Sequence, residues 1–94
     1  DIIEVDRATI TGGPPNGITQ VTHKRGGIDR NHYDESGRQT KQITNNNHGR
    51  PKQHKYGENG EHAHDYIYDE DGNLIDRPAR ELTDEERKEN SDIL

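Results

Sequence analysis

The chain contains no cysteine, so disulfide bonds, thiolate zinc sites and cysteine nucleophiles are all excluded. It also lacks phenylalanine, methionine and tryptophan, and only 22% of its 94 residues are hydrophobic. A chain of this length forms one small domain, residues 1–94, and its apolar core must be thin. The punctuated turns and alternating segments nevertheless predict a compact fold with long loops rather than disorder.

No apolar run approaches the roughly 20 residues that a membrane-spanning helix requires, and no signal-peptide pattern opens the chain. We therefore expect a soluble protein without a membrane span. The sequence begins at Asp1 rather than at an initiator methionine, which favours a C-terminal module of a longer polypeptide. Such a module is expected to be secreted or delivered with the larger protein and to act in a target cytoplasm.

The net charge of −6 is unevenly distributed along the chain. Residues 20–57 carry eight basic and three acidic side chains, a balance of +5, whereas residues 58–94 carry four basic and thirteen acidic ones, a balance of −9. Either these are ordinary solvated faces, or the basic stretch accepts a polyanion such as RNA while the acidic third stays away from it. A weaker option is that the acidic third mimics nucleic acid.

The segments predict an α+β fold: a small β-rich domain of short antiparallel hairpins, four or five strands in all, with a C-terminal helix. Residues 2–10 form a short strand or a helical turn, residues 11–17 a loop or linker, and residues 18–22 a strand. Residues 28–33 and 39–44 flank a turn at 34–37, in which Gly37 supplies a positive φ.

The clearest predicted hairpin joins residues 61–68 to residues 74–76 through the turn at 69–73. Thr83 and Glu86 have the spacing of a capping box, which predicts a helix as far as about Asn90. If residues 61–68 form one strand, then His62, His64, Tyr66 and Tyr68 share a face.

Four of the six histidines lie between residues 48 and 64, two in a cation-bearing loop and two on the following strand. Imidazole transfers protons near neutral pH and is also the commonest metal ligand. His62 and His64 are the leading catalytic candidates, and His48 and His54 are the second choices. The predicted substrate-binding residues are Arg50, Lys52, Lys55 and Tyr66. His32 is predicted to face the same cleft, and His23 to lie in a basic loop.

Two chemistries fit this set of residues. In the first, which needs no cofactor, one imidazole removes the 2′-hydroxyl proton of RNA, another protonates the leaving 5′-oxygen, and a cation stabilises the phosphorane. In the second, His62, His64 and His48 hold zinc. The spacing alone does not decide between them. The sequence has no P-loop, its acidic turn at 69–73 is out of register for calcium, and neither of its serines lies in a hydrolase pattern.

The run Thr44-Asn-Asn-Asn-His-Gly-Arg-Pro-Lys-Gln-His54, with His62-Ala-His64 after it and His32-Tyr-Asp-Glu-Ser-Gly37 before it, resembles C-terminal domains of bacterial polymorphic toxins and phage minor-head proteins. The likeness covers about residues 28–70, and residues 56–60 depart from it as an insertion. It implies membership of the metal-independent nuclease group that includes barnase, EndoU and RelE, with an immunity protein or antitoxin as partner. Its implied functional positions are His48, Lys52, His54, His62 and His64.

The leading hypothesis from the sequence is therefore a toxin-type nuclease that cleaves RNA by histidine acid–base catalysis. The alternative is a non-catalytic phage structural or metal-binding interaction module. The oligomeric state has no signature in the sequence.

Overall fold

A computed structural model of the protein describes residues 1–46 and 56–94. Within these ranges the chain forms eight short strands and one helix. The elements are β1 (Ile2–Glu4), β2 (Ile18–Thr22), β3 (Ile28–Tyr33), β4 (Gln39–Thr44), β5 (His62–Asp65), β6 (Ile67–Tyr68), β7 (Leu74–Asp76), β8 (Ala79–Arg80) and α1 (Asp84–Glu89). The prediction of a small β-rich domain with a short C-terminal helix is confirmed, and the fold is mostly β.

Six strands form one mixed sheet in the order β1-β2-β3-β4-β5-β8, and β6 and β7 form a separate two-stranded sheet. The hairpin between β3 and β4 is confirmed, and Gly37 in its turn has φ 81°. The expectation of antiparallel hairpins alone is incomplete, because β1 pairs with β2 in parallel. β8, which the sequence reading missed, closes the other edge of the sheet beside β5.

The long strand expected from Glu61 to Tyr68 is wrong, because the chain divides at Tyr66. β5 ends at Asp65 as part of the main sheet, and β6 begins at Ile67 in the second sheet. The Tyr66 amide donates to the Thr40 carbonyl at the point where the chain leaves the main sheet. The turn at 69–73 and its hairpin partner are confirmed, since β6 pairs with β7.

One face of the main sheet carries the apolar core and the helix. Ile43 of β4, Ala63 of β5 and Leu82 form the buried apolar cluster. The capping box is present: Glu86 donates its amide to the Thr83 hydroxyl, and Thr83 donates its amide to the Glu86 carboxylate.

Ion pairs fasten the helix to this face. Arg80 donates to both oxygens of Glu86 and to both oxygens of Asp65, and Lys41 Nζ lies 2.9 Å from Glu86. The Arg80 guanidinium, with Lys41 behind it, holds the pKa of the Glu86 carboxyl far below its ordinary value despite burial. The helix is thus held by charged hydrogen bonds as well as by Leu82.

The opposite face of the sheet is polar. Strand pairing places Thr19, Asn31, Gln42 and His64 side by side across β2, β3, β4 and β5, and all four are buried. Buried polar groups require hydrogen-bond partners. Here the amides of Gln39 and Gln42 donate to Asn31 Oδ1 at 2.8 and 3.0 Å. This row, called the amide row below, makes the face mostly polar, with Val21 of β2 buried on the same side as Thr19.

The loop at 11–17 packs on one end of this polar face. Gly13 donates its amide to the Gly37 carbonyl and lies so close to the Tyr33 ring that an added Cβ would come within 2.3 Å of it. The Tyr33 hydroxyl in turn donates to the Thr9 carbonyl at 2.9 Å. The loop is therefore attached to the sheet by hydrogen bonds and by a close glycine contact.

The helix found in residues 1–46 and 56–94 is neither long enough nor apolar enough to cross a membrane.

Candidate functional site

His62 and His64 form an imidazole pair at the edge of the polar face. They are separated by one residue on β5, so their side chains point to the same side of the sheet. Their Nε2 atoms lie 3.1 Å apart, and the ring planes meet at 75°. His62 is completely buried, whereas His64 keeps 6% of its surface exposed. The two rings form one unit, with His64 on its solvent side.

The hydrogen-bond geometry is compatible with one arrangement of the protons within the pair. His62 Nδ1 lies 2.7 Å from the Gly60 carbonyl, which only accepts, so this nitrogen carries a proton. The 3.1 Å contact between the Nε2 atoms requires one more proton, supplied by His64 when both rings are neutral. His64 Nδ1 then turns a lone pair toward the Arg77 carbonyl at 3.4 Å. A third proton converts that contact into a hydrogen bond and gives the pair a single positive charge.

The loop before β5 fixes the position of His62. The buried Glu61 carboxylate accepts from the amides of Glu58 and Asn59 and from Arg87 of the helix. Burial alone would raise the pKa of Glu61, but hydrogen bonds from its own amide, from these two amides and from Arg87 lower it to about 2. The carboxylate therefore stays ionised. Its hydrogen bonds hold the loop that carries the Gly60 carbonyl, which lies 2.7 Å from His62 Nδ1.

Tyr56 lies against the buried ring of the pair. Its ring centroid is 5.5 Å from that of His62, with a tilt of 34° between the planes. The Tyr56 hydroxyl donates to the Ala79 carbonyl of β8 at 3.4 Å. This contact leaves His64 as the ring through which the pair meets solvent.

Arg77, which the sequence reading missed, supplies a cation beside the pair. Its side chain donates from Nε to the Tyr66 hydroxyl at 2.9 Å and from Nη2 to Gln42 Oε1 at 3.0 Å. Its guanidinium carbon also lies 5.2 Å from the centroid of the Tyr66 ring. Two anchors hold the guanidinium in place, and Nη1 makes no hydrogen bond to the described residues. A guanidinium held in this way can bind an anion through Nη1.

The amide row connects Arg77 to the interior of the sheet. Gln42 accepts from Arg77 and donates to Asn31, and Asn31 donates to the Thr19 hydroxyl at 3.4 Å. The sequence places Asn31 on one predicted strand and Gln39 and Gln42 on the next, but the two glutamines are three residues apart and do not follow the period of two of a strand face. Strand alternation alone therefore does not predict this row.

Two other histidines of the described residues, His23 and His32, lie apart from the pair. His32 occupies the row with Lys41 and Asp65, on the face that carries the helix, so the prediction that it shares the cleft is wrong. Burial, and then the nearby charge of Lys41, lower the pKa of His32. His23 follows β2, and its Nε2 lies 2.7 Å from Asp29.

The predicted loop half of the site lies outside the described residues. This applies to the second-choice histidines, His48 and His54, and to the predicted phosphate ligands Arg50, Lys52 and Lys55. Tyr66 is described: it is half-buried, and its hydroxyl accepts from Arg77. In the described ranges, no three histidine, aspartate or glutamate side chains converge as a metal-ligand set.

Comparison with known proteins adds no relative: no family model, curated protein or solved structure matches the chain.

Proposed function

We propose that the chain is a toxin-type nuclease module that cleaves RNA by proton transfer at the imidazole pair, without a metal ion. The observation that carries the proposal is the 3.1 Å contact between His62 Nε2 and His64 Nε2, with the Nδ1 atom of each ring next to a main-chain carbonyl. Such a pair accepts a proton at His64 and shares it with His62. General-base catalysis of this kind contributes about 10²- to 10⁴-fold in rate.

In the proposed reaction the 2′-hydroxyl attacks the adjacent phosphorus, and its proton passes to His64. The Arg77 guanidinium, fixed by Tyr66 and Gln42, binds a phosphate oxygen and stabilises the charge of the phosphorane. The 5′-oxygen leaves as it receives a proton, and a 2′,3′-cyclic phosphate remains.

The two rings of the pair touch, so we assign them one joint role rather than opposite roles as base and acid. The proton for the leaving oxygen then comes from another group. His48 and His54 remain the sequence candidates for that group, and Arg50, Lys52 and Lys55 remain candidates for binding the RNA backbone.

A cleavage assay with labelled single-stranded RNA in the presence of EDTA tests the proposal. The wild-type chain should produce cyclic phosphate ends, detectable by mass spectrometry, and His64→Gln should lower the rate at least about 10²-fold. His23→Gln is the matched control, because it removes a histidine outside the pair. Absence of cleavage by the wild type, or full activity of His64→Gln, rejects the proposal.

A nuclease of this type would need a protein that neutralises it in the producing cell. We accordingly propose an immunity protein or antitoxin as a partner. We also propose that the module acts after delivery into a target cytoplasm.

One observation favours a second candidate, a zinc-binding interaction module such as a phage structural domain. Histidines that bind a metal donate their other ring nitrogen to a carbonyl or a carboxylate, and here each Nδ1 faces a main-chain carbonyl. Two nitrogens on a tetrahedral zinc ion lie about 3.3 Å apart, given zinc–nitrogen distances of about 2.0–2.1 Å. The 3.1 Å separation of the Nε2 atoms is close to that value.

In this alternative His62 and His64 bind zinc, with His48 as the sequence candidate for a third ligand. Titration calorimetry and thermal melting with zinc distinguish the candidates. Stoichiometric binding that raises Tm, and that His64→Gln abolishes, supports the zinc module. Unchanged melting together with EDTA-resistant RNA cleavage supports the nuclease.

A further inference from the structure

We propose that the β6–β7 hairpin, residues 67–76, is a docking surface for a partner protein that adds a strand rich in basic and apolar side chains along β7. The inference concerns this surface alone and does not depend on whether the chain cleaves RNA.

The first support is an unpaired strand edge. β6 and β7 pair only with each other and stand apart from the six-stranded sheet. In the part of the chain that the structure describes, the main chain of Leu74–Asp76 makes hydrogen bonds only to β6. A free strand edge offers main-chain donors and acceptors to a second chain, which is the basis of strand addition.

The second support is apolar exposure on the same hairpin. Ile67, Leu74 and Ile75 are 43%, 36% and 62% exposed, and the register shift of the pair leaves Ile75 with no residue opposite it. Ile67 and Leu74 lie on opposite faces of the hairpin, because Ile67 pairs with Asp76 and Leu74 pairs with Tyr68. A strand added along β7 would therefore cover exposed apolar side chains on both faces of the hairpin, and their burial would contribute free energy.

The third support is charge, which identifies the chemistry of the occupant. Residues 67–76 carry four carboxylates and no basic side chain. Asp69 is used inside the turn, where it accepts from the amides of Asp71 and Asn73. Glu70, Asp71 and Asp76 of the same hairpin are exposed. A hairpin that exposes both apolar and acidic side chains is complementary to a strand that carries both apolar and basic residues.

The hairpin also borders the candidate site. Tyr66 directly precedes β6 and Arg77 directly follows β7, and their side chains are joined by the 2.9 Å hydrogen bond from Arg77 Nε. A partner seated on β7 therefore lies next to the cation of the site.

NMR titration of the ¹⁵N-labelled full chain tests the proposal. The probe is a synthetic octapeptide that alternates valine and lysine, and an octapeptide that alternates valine and glutamate is its counterpart. The valine–lysine peptide should shift the amide signals of Leu74, Ile75 and Asp76, whereas the valine–glutamate peptide should leave them unchanged.

Ile75→Glu separates strand docking from simple charge attraction. The substitution adds a negative charge, so attraction alone would strengthen binding of the basic peptide, whereas loss of the apolar contact should weaken it at least about tenfold. Ile3→Glu is the control, because it makes the same change at an isoleucine that is 50% exposed on β1, at the far edge of the main sheet.

Three results would overturn the proposal. The first is a set of shifts outside the hairpin. The second is equal binding of both peptides. The third is concentration-dependent self-association of the free chain through β7, seen by ultracentrifugation and abolished by Ile75→Glu, which would assign the edge to a second copy. A failure of RNA cleavage has no bearing on any of these readouts.

Discussion

The main-chain carbonyl of Arg77 contacts His64, and the Arg77 side chain contacts Gln42. The carbonyl of Arg77 lies 3.4 Å from His64 Nδ1, while its guanidinium donates to Gln42 Oε1 at 3.0 Å. The proton state of the pair and the position of the cation are therefore coupled through one residue.

Arg77→Gln should weaken RNA binding and reduce the salt dependence of the affinity. Each cation bound to a phosphate contributes about one unit to the slope of log K against log salt. Fluorescence anisotropy at several salt concentrations measures that slope. Arg25→Gln provides the comparison, because Arg25 lies on the exposed turn before β3. Equal slopes for the two variants would place Arg77 outside the RNA contact.

Gln42→Leu should lower the free energy of unfolding by about 1–3 kcal/mol, because it removes the acceptor of Arg77 and one donor to Asn31. Thr44→Val is the matched variant on the same strand. Thr44 Oγ1 is buried and has no hydrogen-bond partner among residues 1–46 and 56–94, so its replacement by an isosteric methyl group should leave stability unchanged or raise it. Urea unfolding measures the free energy of unfolding of both variants. Equal decreases in the two variants would contradict the hydrogen bonds described for the amide row.

Glu61 should make stability fall on acidification between about pH 5 and pH 2. Its pKa is lowered from 4.5 to about 2 in the folded chain, so the unfolded state binds more protons in this window and gains free energy as the pH falls. Glu61→Gln should flatten the fall in Tm between these pH values. Glu35→Gln, on the exposed β3–β4 turn, should reproduce the wild-type profile.

Because of His32, the free energy of unfolding should decrease as the pH falls below about 6.5. Burial, with Lys41, lowers the pKa of His32 in the folded state, so the unfolded chain takes up the proton first. The stabilisation is complete at neutral pH and diminishes as the pH falls toward the folded-state value. His32→Gln should weaken the dependence of Tm on pH between about pH 5 and 7, and an unchanged profile would show that His32 is solvated like a free histidine.

Local signals in the sequence predicted several elements correctly. Gly37 marks the β3–β4 turn, the spacing of Thr83 and Glu86 gives the capping box, and the alternation along β5 puts both imidazoles on one face. Each of these depends on residues within a few positions of one another, where backbone geometry leaves few alternatives.

Features that depend on pairing between distant strands were not predicted. The face that His32 occupies follows from its register against Lys41 and Asp65, and a shift of one residue would reverse it. The parallel pairing of Ile2 with Ile18 spans the whole 11–17 loop and has no local signature. Arg77 was missed for the same reason, because only the folded chain brings it beside Gln42.

The amide row also affects how the protein responds to temperature. In the described residues only Val21, Tyr33, Ile43, Ala63 and Leu82 are buried apolar side chains, while twelve polar or charged ones are buried. Exposing apolar surface raises the heat capacity of unfolding and exposing polar surface lowers it. The heat-capacity change should therefore fall below the usual value of about 12–15 cal/mol/K per residue. The curve of free energy against temperature is then shallow, and a modest stability is maintained over a wide thermal range.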